Sequence, residues 1–346
     1  MKDITVLGID LAKKVFQLHG ADSRGKKIFS KQVRRAGLFK FVGNLKPCVI
    51  AMEACGGAHH FARLFRRYGH EVKLMSPQFV KPYVKGNKND SADAEAIAEA
   101  VSRPTMRYVG IKEVVDQDIQ GLHRYRERLV KNRTQLMNQI RGLLQEYGIV
   151  VEQGKSRLLK VLVSLQDHEG YEELTEMNKE LFWDAYEELI DLNERIVKYT
   201  RKLEDLSKHD ERSQDLLTIP GIGPMTATAI LAAVGDPHVF ESGRALSAYF
   251  GLTPKHKGSG QKTRILGISK RGDRYVRSLL IHGARSLVKV VNKKTDPRSQ
   301  WIKQLIDRCG INKAVVAVAN KNARIVWALL TKQTCYEENY GLNEAA

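Results

Sequence analysis

The sequence predicts an α/β plus all-α protein, with a mixed sheet and helices in its first third and a largely helical remainder. Short apolar runs of strand length alternate with helical segments up to residue 84. Leucines at seven-residue spacing begin after residue 118, and a second helical periodicity starts near residue 185. Alternating strands and helices are typical of a mixed sheet, whereas sustained helical periodicity predicts long packed helices.

Five strands and three helices are predicted in order along the first third. The first two strands, Ile4–Asp10 and Val15–Gly20, are joined by a tight polar turn and form a hairpin. The remaining elements are a strand at Lys26–Val33, a helix at Gly37–Leu45, a strand at Cys48–Glu53, a helix at Ala58–Tyr68, a strand at Glu71–Met75 and a short helix at Pro77–Val84.

Two long helices are predicted in the middle of the chain. The first, Asp118–Tyr147, carries the leucines Leu122, Leu129, Leu136 and Leu143. The second repeats apolar residues with four-three spacing from Ala185 to Leu206. An antiparallel or intersubunit coiled coil and a plain helical hairpin within one subunit both fit, because about three heptads is near the minimum for a coiled coil. Two helices joined by a turn near residue 220 come next. An apolar helix at Ala314–Leu330 follows them.

The distribution of charge favours a polyanionic partner. The formal net charge is +18, and residues 244–332 hold 20 Lys and Arg against three Asp and Glu. A ribosomal or merely basic protein is the alternative. Four cysteines without a C-x-x-C pair favour a reducing compartment and not zinc, so we expect a cytoplasmic protein. The most apolar stretch is broken by proline and glycine, so no membrane span is expected.

Four acids form a candidate metal site. Asp10 and Glu53 each end an apolar strand, and Asp90 and Asp93 stand three apart at a helix start, where they project on one face. A desolvated carboxylate is costly unless it is paired or binds a metal, although capping and the helix dipole also favour acids in a first turn. Together the four supply oxygen ligands for two Mg²⁺ or Mn²⁺ ions, which can drive phosphodiester chemistry.

Two further motifs lie downstream. IPGIGPMTATAIL has the form of a helix–hairpin–helix, in which Gly221 and Gly223 permit a turn whose backbone N–H groups hold a phosphate. An ordinary αα-corner is the alternative, because residues 213–243 contain no Lys or Arg. Ser259 lies in a Gly-Ser-Gly loop, which is usually a flexible linker. The cations around it favour a hydroxyl that attacks a phosphodiester.

A basic surface surrounds and follows this serine. Its cations are expected to contact a nucleic-acid backbone, with a solvated face as the alternative. They are Lys255, Lys257, Lys262, Arg264, Lys270, Arg271, Arg274 and Arg277.

Five ordered motifs resemble those of the DEDD transposases of bacterial insertion sequences, of the insertion-sequence 110/1111 type, a family that includes the Piv pilin-gene invertase. The motifs are GIDLAKK, AMEACGGAHH, KNDSADAEAIAEA, IPGIGPMTATAIL and YFGLTPKHKGSGQKTRILGISKRGDRYVRSLLIHGAR. The resemblance implies a RuvC-like, ribonuclease-H-type domain in which Asp10, Glu53, Asp90 and Asp93 bind Mg²⁺. It also implies a C-terminal transposase domain whose serine, Ser259 by motif position, becomes covalently joined to DNA.

The resemblance further implies a coiled-coil-linked tetramer guided by a structured bridge RNA that pairs with target and donor DNA. We therefore expect double-stranded DNA, a non-coding guide RNA and further copies of the chain, as a dimer or tetramer, as partners in a bacterial cytoplasm. The expected divisions are a catalytic domain at 1–150, a helical coiled-coil region at 151–212, a transposase domain at 213–335 and a tail at 336–346.

The expected function is DNA strand exchange, in which Ser259 attacks a scissile phosphate and ions held by the four acids stabilise the departing 3′ oxygen. Two rivals use only part of these residues. A RuvC-like junction endonuclease would use the acids and a water molecule, and a non-catalytic nucleic-acid-binding protein would need the basic segment alone.

Overall fold

A computed structural model of the chain describes residues 3–85, 89–259, 262–334 and 336. The chain forms two compact units. The first comprises Met1–Asp116 with Val234–Ser242, and the second comprises Gln117–Ala233 with Gly243–Ala346. The domain boundaries predicted at residues 150, 212 and 335 stay predictions.

The first unit is built on a mixed six-stranded sheet, as predicted. Its strands are β1 Val6–Asp10, β2 Val15–Ala21, β3 Lys27–Arg34, β4 Val49–Glu53, β5 Glu71–Met75 and β6 Tyr108–Val109. They lie in the order β3-β2-β1-β4-β5-β6. β1, β4 and β5 are parallel neighbours, and the remaining pairs are antiparallel.

Helices cover both faces of this sheet. They are α1 Arg35–Gly43, α2 Ala58–Arg67, α3 Pro77–Val80 and α4 Asp90–Val101. α1 and α2 pack on the face that carries Ile9 and Met52. α4 packs on the opposite face, where Ala51 contributes to the core. The predicted short helix at Pro77–Val84 is shorter in the structure, because Pro82 lacks the N–H that would continue it and the chain turns into a 3-10 helix.

The second unit is largely helical. Its helices are α5 Val114–Gln145, which starts in the first unit, α6 Lys155–Val163, α7 Glu176–Lys208, α8 Glu211–Leu217, α9 Pro224–Val234, α10 Gly243–Tyr249, α11 Arg274–Val290, α12 Pro297–Cys309 and α13 Ile311–Lys332. A β-hairpin, β7 Pro254–Ser259 and β8 Lys262–Ile268, lies between α10 and α11. Among the described residues, no helix combines the length and the apolar character that crossing a membrane requires.

The two long helices pack against each other within one chain. Leu129 of α5 lies in one cluster with Leu192 and Ile196 of α7. Nearer the start of α5, Ile119 meets Leu203, so the two helices run antiparallel. Residues of the apolar stripe of α7 are therefore buried against α5 of the same chain, which fits an antiparallel coiled coil as well as a plain helical hairpin.

Candidate functional site

Asp10 and Glu53 end neighbouring parallel strands on the same face of the sheet. The register pairs Ile9 of β1 with Met52 of β4, and each strand continues by one residue to its acid. Ile9 and Met52 are fully buried on the face covered by α1 and α2. Since successive residues of a strand point to opposite faces, the two acids belong to the face covered by α4.

α4 is held against this face by a close approach to β1. A Cβ atom on Gly8 would lie 2.4 Å from the carbonyl oxygen of Ala94, so only glycine allows the helix to lie this close. Gly8 and Asp10 are two residues apart and share a face. The first turn of α4 carries Asp90 and Asp93. All four predicted acids therefore belong to one side of the sheet.

Capping does not explain the two aspartates of α4. The N-cap is Asn89, whose side-chain oxygen accepts a hydrogen bond of 2.8 Å from the Ala92 N–H. The helix dipole still favours acids in this turn, but the capping position is already filled. This removes one of the two alternatives to a ligand role for Asp90 and Asp93.

The pKa of the Cys55 thiol depends on both strand-end carboxylates. Burial of its sulfur raises the pKa of Cys55, and the negative charges of Glu53 and Asp10 raise it further. The effect of both charges agrees with the strand register, which brings Asp10 and Glu53 to the same end of neighbouring strands.

The acids fit a hard divalent cation by donor chemistry and by position, and they do not form a closed coordination sphere. Carboxylate oxygens are the ligands that Mg²⁺ and Mn²⁺ prefer. In the part of the chain that the structure describes, no group of three or more His, Cys, Asp or Glu side chains is arranged to hold one metal ion. Binding therefore requires some of these side chains to turn toward a shared ion.

Ser259 lies in a β-hairpin, at a position where the sequence predicts a loop. It ends β7 and pairs with Lys262, the first residue of β8. The next pair but one along the hairpin is Lys257 with Arg264. Gly260, Gln261 and the side chains of Ser259, Lys262 and Thr263 lie outside the described part of the structure.

Most of the predicted basic residues are exposed. Lys257 and Arg264 lie directly opposite each other, an arrangement of like charges that is unfavourable unless an anion lies nearby. The other described cations of this set with exposed side chains are Lys255, Lys270, Arg271 and Arg274. The surface of the hairpin and of the start of α11 is thus suited to a phosphate backbone.

Arg277 is the exception and corrects the prediction of a nucleic-acid contact. It is only 8% exposed, and its Nη1 atom donates to the carbonyl oxygens of Phe250 at 3.0 Å and Arg271 at 3.4 Å. These two residues precede and follow the hairpin. Beside them, a Cβ atom on Gly272 would lie 1.8 Å from the carbonyl oxygen of Tyr249. Arg277 therefore clamps the base of the hairpin.

The turn predicted as a helix–hairpin–helix joins α8 to α9. Gly221 has a φ of +86°, and a Cβ atom there would lie 2.9 Å from the side chain of Leu287 and 3.0 Å from the Gly283 carbonyl of α11. Gly223 faces open space. Gly221 thus has a packing reason of its own, as in an αα-corner, while Gly223 remains accessible to a ligand.

A buried histidine that the sequence did not reveal lies behind the basic surface. His123 of α5 is 2% exposed and bonds at 3.0 Å to Thr228 of α9 and to Tyr275 of α11. Arg124 donates at 2.7 Å to Asp273, which caps α11. No local pattern marks these residues, because their partners lie more than 100 positions away.

Comparisons with known proteins cover both units. A family model for DEDD transposases of the IS110 type, described as Transposase, matches residues 7–149. A second model, Transposase IS116/IS110/IS902 family, matches residues 213–300. The first match contains the four acids, and the second contains the hairpin and all of α11.

Several curated proteins are similar along their whole length. The transposase for insertion sequence element IS1111A of Coxiella burnetii is 50% identical over 97% of this chain and 92% of its own length. A probable family 20 transposase of Pseudomonas aeruginosa is 46% identical over 96% and 99%. The transposase for insertion sequence element IS1328 of Yersinia enterocolitica is 37% identical over 98% and 100%.

Proposed function

The chain belongs to the IS110/IS1111 family of DEDD transposases, and we propose that it moves its insertion sequence by serine attack on DNA, assisted by a divalent cation and guided by RNA. As a transposase it binds the DNA of its element and catalyses DNA cleavage and transfer. This catalytic role excludes the non-catalytic nucleic-acid-binding alternative.

The metal proposal is carried by one observation, the common face of the four acids. Asp10 and Glu53 end adjacent strands, and Asp90 and Asp93 begin the helix that packs over them. These residues would hold Mg²⁺ or Mn²⁺, which supplies charge stabilisation for a departing alkoxide. DEDD transposase domains use divalent metal in general, which supports this assignment.

The serine proposal concerns the bond that is exchanged. The Ser259 hydroxyl attacks a scissile phosphorus, an Oγ–P bond forms, and the bond from phosphorus to the 3′ oxygen breaks. The hydroxyl gives up its proton and the 3′ oxygen takes one up, so no further reactant is needed. The phosphoserine link keeps the phosphodiester bond energy for rejoining. Its support is the position of Ser259 on a basic ribbon beside Lys257 and Arg264.

The finer assignments for the rest of the chain are also proposals. The mixed sheet supports a RuvC-like, ribonuclease-H-type domain over residues 1–150, followed by a helical region at 151–212, a transposase domain at 213–335 and a tail at 336–346. The turn with Gly221 and Gly223 would bind phosphate through backbone N–H groups. The proposed cationic contacts are Lys255, Lys257, Lys262, Arg264, Lys270, Arg271 and Arg274, without Arg277.

The test of the mechanism is a covalent adduct. The wild type, Ser259→Ala and Asp10→Asn are incubated with element-end DNA and Mg²⁺, and SDS-stable protein–DNA adducts are measured. Ser269→Ala, at the base of the same hairpin, is the control for the serine. Asp22→Asn, in the turn after β2, is the control for the acid. We expect adducts in the wild type and in both controls, and none in the other two variants.

Three outcomes would contradict this proposal in different ways. Adducts that persist in Ser259→Ala would refute the serine assignment. Cleavage without any adduct would support hydrolysis by water, as in a RuvC-like endonuclease. Adduct formation by Asp10→Asn at the wild-type rate would refute the metal site.

RNA guidance and self-association are tested separately. Sequencing of RNA that copurifies with the protein should reveal one discrete structured species, and bulk ribosomal fragments alone would count against guidance.

Light scattering should give the mass of a dimer or tetramer. An association surface would have to lie outside the buried stripe of α7, and Val197 of that helix, 46% exposed, offers a suitable site for an aspartate substitution.

A further inference from the structure

Three polar side chains connect the sheet to the first turn of α4. The Nε2 atom of Gln17 donates to the Oγ atom of Ser30 at 2.9 Å. The Oγ atoms of Ser30 and Ser91 lie 3.0 Å apart, and either hydroxyl can donate. The connection thus runs from Gln17 of β2 through Ser30 of β3 to Ser91 of α4, which follows Ser30 by 61 residues. Hydrogen bonds between residues far apart in the sequence restrict the relative positions of elements that the connecting chain does not hold together.

The two ends of this connection lie next to three of the four acids. Gln17 lies directly opposite Asp10 in the β1–β2 register and is 7% exposed. Ser91 lies on the first turn of α4 between Asp90 and Asp93. The Gln17–Ser30–Ser91 connection therefore links β2, the strand that pairs with β1 opposite Asp10, to the turn that presents Asp90 and Asp93.

The negative charges of the four acids explain what this link can contribute. Without a cation, four carboxylates on one face repel one another, and this repulsion pushes the first turn of α4 away from the strand ends. The contact of Gly8 with Ala94 anchors the helix one turn further on. Amide and hydroxyl groups hold the first turn itself without adding charge, so the link is compatible with both the metal-free and the metal-bound state.

We propose that Gln17, Ser30 and Ser91 are positioning residues that keep Asp90 and Asp93 within reach of a cation bound at Asp10 and Glu53. This inference rests on the proposed metal site. The three side chains act through the geometry of the α4 turn and do not themselves bind the metal. Their loss should therefore weaken metal affinity more than it weakens the fold.

The experiment measures Mn²⁺ binding to the purified, DNA-free protein by the electron paramagnetic resonance signal of free Mn²⁺. Ser91→Ala should raise the Kd for Mn²⁺ about two- to threefold, as expected for the loss of one solvent-exposed hydrogen bond. Ser91→Thr keeps the hydroxyl and should restore the wild-type Kd. Ser102→Ala is the matched control, since Ser102 caps the other end of α4 by donating to the Glu99 carbonyl at 2.7 Å.

The melting temperature in metal-free buffer separates positioning from folding. We expect Ser91→Ala and Ser102→Ala to shift it by similar amounts, with only Ser91→Ala changing Mn²⁺ binding. Ser30→Ala should resemble Ser91→Ala, and the double variant should add little, because both substitutions break the same contact. A wild-type Kd in Ser91→Ala, or an equal change in Ser102→Ala, would overturn the inference.

Asp10→Asn distinguishes this failure from failure of the metal site. If Asp10→Asn loses Mn²⁺ binding while Ser91→Ala keeps it, only the positioning role is wrong. If Asp10→Asn binds Mn²⁺ like the wild type, the proposed metal site is wrong and the positioning role falls with it.

Discussion

The buried histidine of α5 makes the stability of the second unit sensitive to acid. Thr228 donates its hydroxyl proton to the Pro224 carbonyl at 2.8 Å, so its oxygen accepts from Nε2 of His123. Nδ1 is then the acceptor, and the Tyr275 hydroxyl donates to it. This pattern satisfies a neutral imidazole. A proton added to Nδ1 would displace the hydrogen bond from Tyr275 and place a charge in the core.

The size of the effect follows from the shifted pKa. Burial, together with the positive charges of Arg126 and Arg124, lowers the pKa of His123 to about 4 against the opposing effect of Asp273. The unfolded chain takes up this proton near pH 6.5, but the folded chain does so only near pH 4. Stability is therefore lost as the pH falls through this window. Between pH 7 and pH 5 the loss is about 2 kcal/mol, at about 1.4 kcal/mol per unit of pH.

Urea unfolding of the wild type and of His123→Gln at pH 7 and pH 5 isolates this contribution. Glutamine can still donate to Thr228 and accept from Tyr275, but it does not titrate. His59, whose pKa is also lowered to about 4 by burial, is present in both proteins and cancels in the comparison. The wild type should lose about 2 kcal/mol more than the variant over this pH range. Equal losses, or a His123 pKa near 6.5 by NMR titration, would refute the reasoning.

Three other predictions concern the packing of α4, the hairpin base and DNA affinity. Gly8→Ala should cost about 1–3 kcal/mol in urea unfolding, because its Cβ meets the Ala94 carbonyl at 2.4 Å; an unchanged midpoint would contradict this close approach. Arg277→Met should speed amide hydrogen exchange across the hairpin, because two carbonyls at its base lose their donor; unchanged exchange would leave the clamp without support. Lys257→Ala and Arg264→Ala should each reduce the slope of log affinity for DNA against log salt by about 0.9, and an unchanged slope would show that the residue contacts no phosphate.

The acids could be predicted because their signals are local. Asp10 and Glu53 each follow an apolar run, and the spacing of Asp90 and Asp93 places them on one helical face. Their common side of the sheet could not be derived in this way. It depends on α4 crossing β1, which Gly8 permits, and no pattern within the helix shows which strand it will cover.

The hairpin escaped prediction because most of its described side chains are exposed and not packed on a core. Its strands are rich in Lys and Gly, and Ile265 is 71% exposed, so no apolar alternation marks them. The ribbon is held at its base, where Arg277 reaches the carbonyls that precede and follow it. When a strand is stabilised by contacts at its ends, its own residues show no hydrophobic pattern from which it could be predicted.

The leucine series predicts an apolar face of a helix, but it does not predict the partner on which that face packs. Seven-residue spacing predicts an apolar side of α5, and this holds for Leu129, which is 1% exposed, whereas Leu143 of the same series is 36% exposed. It does not specify whether that side meets a second chain or α7 of the same chain, since both partners satisfy the same burial. The contact of Leu129 with Leu192 and Ile196 shows that this part of the side packs on α7 of the same chain.

The charge distribution finally implies that DNA binding and catalysis can be separated. Four carboxylates repel a phosphate backbone, so they add nothing to affinity until a cation neutralises them. The attraction must come from elsewhere, and residues 244–332 hold 20 Lys and Arg against three Asp and Glu. Asp10→Asn should therefore bind element-end DNA at least as tightly as the wild type in metal-free buffer while it fails to cleave. A fluorescence anisotropy titration checks this, and weaker binding by the variant would mean that Asp10 contributes to DNA binding without metal.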